Sequence, residues 1–298
     1  MKLLDWIDIN KLDWIELSKN PGAIHLLEQN QDKIDWFELS KNPNAIHLLE
    51  QNLDKIDWGC LSENPNAIHL LEQNLDKINW KWLSVNPNAI HLLEKKLDKI
   101  DWWMLSLNPN AIHLISEALE KNLDKINLKW LSSNPNANYL LEKNLDKIDW
   151  FWLSINPNAI HLISEALEQN IDKINWVYLS RNPGAIHLLE QNQDKIRFNM
   201  LSTNPSAIHL LEQNQDKIKW WSLSTNPSAI HLLEKNQDKI HWGELSTNPS
   251  IFVYDYDKIE KDFIPLRKAI IENRFHPKNI DKFNGWGFVI YDESDSDD

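Results

Sequence analysis

The apolar positions of this chain follow a pattern that returns unchanged. In the stretch opening Asn42-Pro43-Asn44, apolar residues stand at Ala45, Ile46, Leu48 and Leu49, and polar ones at His47, Glu50 and Gln51. On a 3.6-residue wheel the first set shares one face and the second the other. Asn42 before Pro43 marks a helix start, because Asn caps orphan amides and Pro fits a first turn that needs no N–H. Asn52 suits the far end, since Asn tolerates left-handed backbone. The spacing predicts a first helix of about two turns. From Asp54 to Ser62 it predicts a second short helix, capped by Asp54 or, three residues on, by Asp57. Trp58 and Leu61 share its inner face.

The same unit recurs. Asn-Pro appears with Pro at 21, 43, 65, 87, 109, 135, 157, 183, 205, 227 and 249, eleven of the 13 prolines. Ten units fill 20–247, eight of 22 residues and two of 26. The long units are the fifth, 108–133, and the seventh, 156–181; their extra residues are Ile115-Ser116-Glu117-Ala118 and Ile163-Ser164-Glu165-Ala166. Four residues are about one helical turn, so Ala118 and Leu119 return to the apolar face, which argues for helix over strand. Neither helix is long enough to persist alone, so neighbouring units must supply the stability. We expect an all-α, elongated solenoid of about ten short helix pairs, right-handed by analogy with other helical-pair arrays. At roughly 8–10 Å per packed unit it would extend on the order of 90 Å.

The ends break the register. Leu4-Asp5-Trp6-Ile7 and Leu12-Asp13-Trp14-Ile15 echo each other, and 1–19 reads as a degenerate N-terminal cap. After Pro249, 248–291 reads as a C-terminal cap: an amphipathic pattern over 257–273 interrupted by Pro265, then Phe283, Trp286 and Phe288 closing the apolar end of the stack. The tail 292–298, with five acids in seven residues, reads as disordered, and Ser294 and Ser296 are candidate phosphoacceptors.

Composition narrows the function. Among 298 residues, 31 Lys and Arg face 44 Asp and Glu, for a net charge of -13. That surplus of acid argues against nucleic acid. A single cysteine, Cys60, excludes a disulfide framework or a Cys-rich zinc module. No signal peptide and no long apolar span stand out, so the chain reads as intracellular and without a membrane partner. No Ser-His-Asp order, phosphate-binding glycine loop or His-Glu-x-x-His element occurs, so no catalytic residue, metal or cofactor is expected.

Several positions recur as ladders. Trp36, Trp58, Trp80 and Trp102 occupy one slot, read as a buried packing column. Asn42, Pro43 and Asp54 are read as caps. His47 and its equivalents are too far apart to share a metal; they are read as a structural row bonding a neighbour's backbone or Asn, loosened by acid. Lysine follows each Asp54-type residue, read as part of a self-neutralised surface. The two positions after the tryptophan vary sharply instead. They include Trp82, Trp103, Met104, Trp130, Phe151, Trp152, Tyr178 and Trp221, residue types that favour protein interfaces. Variation at fixed places on a monotonous scaffold is what a binding ridge would show.

The unit Leu-Ser-x-Asn-Pro-Asn-Ala-Ile-His-Leu-Leu-Glu-x-Asn-x-Asp-Lys-Ile-Asp-Trp resembles a tandem-repeat family of giant DNA viruses of amoebae. His276-Pro277-Lys278-Asn279-Ile280-Asp281-Lys282-Phe283 resembles how such proteins end. The pattern departs at Lys96, Leu128, Asn138-Tyr139 and Phe198. The resemblance implies a viral protein in the host cytoplasm or in the virion, and little chemistry. The sequence therefore reads as a non-enzymatic scaffold for an unidentified protein partner. A self-associating structural component of a virus particle is the alternative.

Overall fold

The computed structural model describes residues 1–121, 125–169, 173–273 and 278. The chain forms two compact units, one of Leu3–Phe252 and one of Met1–Lys2 with Val253–Asp298.

The larger body is an all-α solenoid of short helix pairs. In a regular unit, Asn42 Oδ1 accepts the Asn44 N–H at 3.1 Å and holds the Pro43 turn. The first helix then runs Ile46–Glu50, beginning three residues later than its cap suggests. Asn52 is not left-handed (φ -137°); its Nδ2 instead donates to Leu48 O at 2.9 Å, satisfying a carbonyl the helix end leaves open. A one-turn 3-10 segment, Leu53–Lys55, follows and holds Asp54. The second helix, Trp58–Glu63, is capped by Asp57, whose Oδ1 accepts the Cys60 N–H at 2.8 Å. The later of the two expected starts is the real one, and Asp54 is not a helix cap. The long units carry first helices of nine residues, Ile112–Glu120 and Ile160–Glu168, and Ala118 and Ala166 are buried. The insertion adds one turn to the inward face, as expected.

A polar spine ties the units together inside this apolar body. Asn64 is buried and its Nδ2 donates to Asn42 O, which opens the preceding unit, and to Ser40 O near the end of the unit before that, both at 3.0 Å. Ser40 Oγ donates to Trp36 O at 2.7 Å and accepts the Asp57 N–H of the following unit at 3.0 Å. Buried polar groups are tolerable because each is paired.

The spine has no end. Asn20 Nδ2 donates to Ser246 O at 2.8 Å and to Asn248 O at 3.0 Å, and the Asp13 N–H reaches Ser246 Oγ at 2.9 Å. Helix Trp14–Lys19 packs against both Trp36–Lys41 and Trp242–Ser246. The expected open run of about 90 Å is therefore corrected: this body is a solenoid closed into a ring. Its eleventh unit is composite. Residues 248–252 supply the Asn-Pro turn, with Ile251 in the alanine slot, and 3–19 supply the 3-10 turn Ile9–Lys11 and the tryptophan helix. Its first helix is replaced by Leu4, whose N–H donates to Ile251 O at 3.0 Å, and by Trp6 and Ile7 on the core. The two-residue strands Lys2–Leu3 and Phe252–Val253 pair here. Segment 1–19 is thus half a repeat rather than a cap, and no apolar end remains for 248–291 to close.

In the smaller unit the described helix is Tyr256–Asn273, which continues through Pro265 instead of being interrupted there. Its Ile259, Phe263, Ile264, Leu266, Ile270 and Ile271 are exposed. Phe283, Trp286, Phe288, Ser294, Ser296 and the tail 292–298 lie outside the described residues. Among the described residues no helix is long and apolar enough to cross a membrane.

Candidate interaction surface

Capping at Asp57 and its equivalents fixes which way the variable pair points. The residue straight after the tryptophan turns to solvent: Trp103 is 59% exposed, Phe151 41% and Trp221 57%. The next residue leans on the neighbouring unit. Met104, Trp130, Trp152 and Tyr178 are half-buried there, Cys60 and Ser222 are buried, and Trp82 remains exposed. The two rows meet across unit joints. Trp103 stands edge-on to Trp130, ring centroids 6.1 Å apart. Phe151 packs edge-on to Tyr178 at 4.6 Å and to Trp152 at 5.4 Å, while Trp152 and Tyr178 stack at 6.3 Å. Five of the eight expected ridge residues thus form two surface clusters over the fourth to seventh units. Trp82 lies beside its own unit's Lys81, 6.0 Å from the ring, and Trp221 is apart, edge-on to His241.

The tryptophan column is half-buried, not buried. Trp36, Trp58, Trp80 and Trp102 set one face on the core and leave the other outward. Lysines of the following unit lie on that outer face: Lys55 Nζ is 4.5 Å from the Trp36 ring centre, Lys77 4.4 Å from Trp58 and Lys125 5.6 Å from Trp102. At exposed sites such contacts contribute about 0.5–1 kcal/mol. This row also closes, with Lys11 4.7 Å over Trp242.

The histidine row bonds neither backbone nor Asn. His47 meets Glu28 of the preceding unit, His69 Nε2 meets Glu50 at 2.7 Å, and His91 meets Glu72 at 2.8 Å. The His47 hydrogen bond, chiefly, holds the Glu28 carboxyl below its ordinary value. The acid sensitivity that can be assigned to this row therefore lies with the Glu28 carboxylate. The contribution of Glu28 is full above the usual carboxylate range and is lost only as pH falls through its lowered folded value.

Burial, then the neighbouring Asp57, pushes the Cys60 thiol up to about 12, so it stays protonated and a poor nucleophile. Among the described residues no group of three or more His, Cys, Asp or Glu could hold a metal. The Ser–Asn spine was missed in the sequence as a unit-to-unit link; its signal was an unvarying Ser two residues before each Asn-Pro. Comparison with protein-family models, curated proteins and solved structures finds no match.

Proposed function

We propose that the ring is a non-enzymatic scaffold that binds a protein partner through its aromatic clusters. The observation that supports this is the run of exposed and half-buried aromatic rings over adjoining second helices, on a backbone otherwise repeated almost residue for residue. Aromatic anchors on a rigid base lose little entropy on docking. With a net charge of -13, a protein partner is favoured over nucleic acid. Following the resemblance of its repeat, the chain acts in an infected host cell or in the particle.

The test is a double variant, Trp103→Ala with Phe151→Ala, beside Trp221→Ala as a control outside the clusters. Partner capture from host lysate should be lost in the double variant and kept in the control, with melting of both close to the parent. Capture retained by the double variant would sink the reading. The alternative, self-association into particle structure, has no open array ends to use in a closed ring and would have to pair these same faces. Light scattering that rises with concentration and is abolished by the double variant would favour it.

A further inference from the structure

We propose that a cavity between the seventh and eighth units binds a small zwitterion with an aromatic or aliphatic body. The cavity, about 670 Å3, lies between the long helix Ile160–Glu168 and the helix Ile186–Gln191. That volume falls within the roughly 300–1,000 Å3 of small-molecule sites.

It exists because the inserted turn breaks the histidine row. In a regular joint each histidine meets the glutamate three residues beyond the preceding unit's histidine. In the seventh unit that place is held by Ser164; Glu165 follows it but does not line the cavity, and the acid that does is Glu168, one turn or about 6 Å further along the helix. His209 and His231 keep their carboxylates at 2.8 and 3.0 Å. His187 has no hydrogen-bond or ion-pair partner among the described residues, and Glu168 is likewise unpaired. Lys217 and Lys239 lie 5.0 and 4.7 Å over Phe198 and Trp220. Lys195, their equivalent, makes no such contact with Trp176, as is also true of the lysines following Trp80 and Trp150. Glu168, His187, Lys195 and Trp176 all line the one cavity, above an apolar floor that includes Leu167 and Leu188.

The other long unit serves as an internal control. There Leu128 stands in place of the indole and Tyr139 in place of the imidazole, with Lys143 Nζ 4.1 Å over the tyrosine ring. The chemistry is therefore particular to the seventh joint. An acid on one wall and an imidazole and an ammonium on the other, not closed on each other, complement a ligand carrying both charges. A purely anionic ligand would face Glu168 and a purely cationic one Lys195; the floor and Trp176 take an apolar body between them.

Calorimetry on the full chain tests this with L-phenylalanine as probe, and with 3-phenylpropionate and 2-phenylethylamine as its single-charge halves. L-phenylalanine should bind about tenfold tighter than either half, some 1.4 kcal/mol. Glu168→Gln should weaken L-phenylalanine and 2-phenylethylamine and leave 3-phenylpropionate unchanged. Lys195→Gln should weaken L-phenylalanine and 3-phenylpropionate only. Both side chains are exposed, so melting should stay at the parent value. No binding of L-phenylalanine at millimolar concentration, equal binding of either half, or tighter binding of adenosine monophosphate would overturn the proposal.

Discussion

Two joints of the ring make the same bonds from opposite ends of the chain. At an internal joint, Asn64 Nδ2 reaches carbonyls 24 and 22 residues back, both at 3.0 Å. At the closing joint, Asn20 Nδ2 reaches carbonyls 226 and 228 residues away, at 2.8 and 3.0 Å. For a flexible chain that tenfold separation adds only about 2 kcal/mol of closure entropy, and stacked units spend much of it in advance by curving. The joints differ in how the strip beside the spine is filled. Inside the array Asn44 Nδ2 donates to Pro21 O at 3.0 Å. At the closing joint the equivalent residue is Gly22, where a Cβ would stand 3.0 Å from the Phe252 ring and 3.1 Å from Pro249 O. Phe252 fills the space that an asparagine uses elsewhere. The other glycine in this slot, Gly184, sits at the joint after the seventh unit, where a Cβ would meet Pro157 O at 2.5 Å. At these two joints the neighbouring unit leaves little room for a side chain in this slot, whereas the joint after the fifth unit keeps Asn136, whose Nδ2 donates to Pro109 O at 2.9 Å.

The comparison can be broken most severely by removing the split unit. Deleting residues 1–19 should lower Tm by more than about 10 °C, because it uncovers one face of Trp242–Ser246 and orphans the spine at Ser246. A permuted chain that starts at Asn20 and carries 3–19 after Phe252 should melt within about 5 °C of the parent; if it fails to fold, closure depends on where the ends lie and not on the joint itself. Next, Asn108→Ala should cost about 3–5 kcal/mol in urea unfolding, since it strips two buried carbonyls, Ser84 O and Asn86 O, of their donor. Asn20→Ala should match it within about 1 kcal/mol if the closing joint is an ordinary one. Gly22→Ala should cost about 1–2 kcal/mol through crowding against Phe252. Gly243→Ala, with only the His241 ring at 3.5 Å, should gain up to about 1 kcal/mol from helix propensity. The smallest effect belongs to the exposed row. The Tm gap between the parent and His47→Ala should persist from about pH 7 to 5 and close below about pH 4, as Glu28 protonates. A gap that vanished by pH 5 would place the titration on the imidazole instead.

The helix pairs were legible because Ala45, Leu49 and Leu61 must reach one core and because the four-residue insertions keep helical phase. Closure was not, because it depends on a rotation of about 33° per unit that no single unit displays. Its trace was present all the same. Leu12-Asp13-Trp14 is a unit's second half lacking an Asn-Pro turn, and Asn248-Pro249 is a turn lacking its tryptophan helix; each read alone resembles a worn cap. The glutamate partner of each histidine was also in view, at a constant offset of 19 residues in the regular joints, but row spacing drew attention to neighbouring histidines instead. The variable pair was legible as exposed and aromatic. Which rings would touch was not, because contact depends on the lean of the second position toward the next unit, and that set Trp221 apart from Phe151, Trp152 and Tyr178.

Circular arrangement also constrains how such a gene can grow. A linear array accepts a further duplication by becoming longer, at no cost to the modules already present. Here a twelfth module would require every existing joint to give up a little of its bend at once, through the same buried amides. Copy number is therefore a discrete property of the whole molecule. Change is most readily accommodated as the fifth and seventh modules show it, by lengthening one helix outward while the inner circuit of amides is left alone.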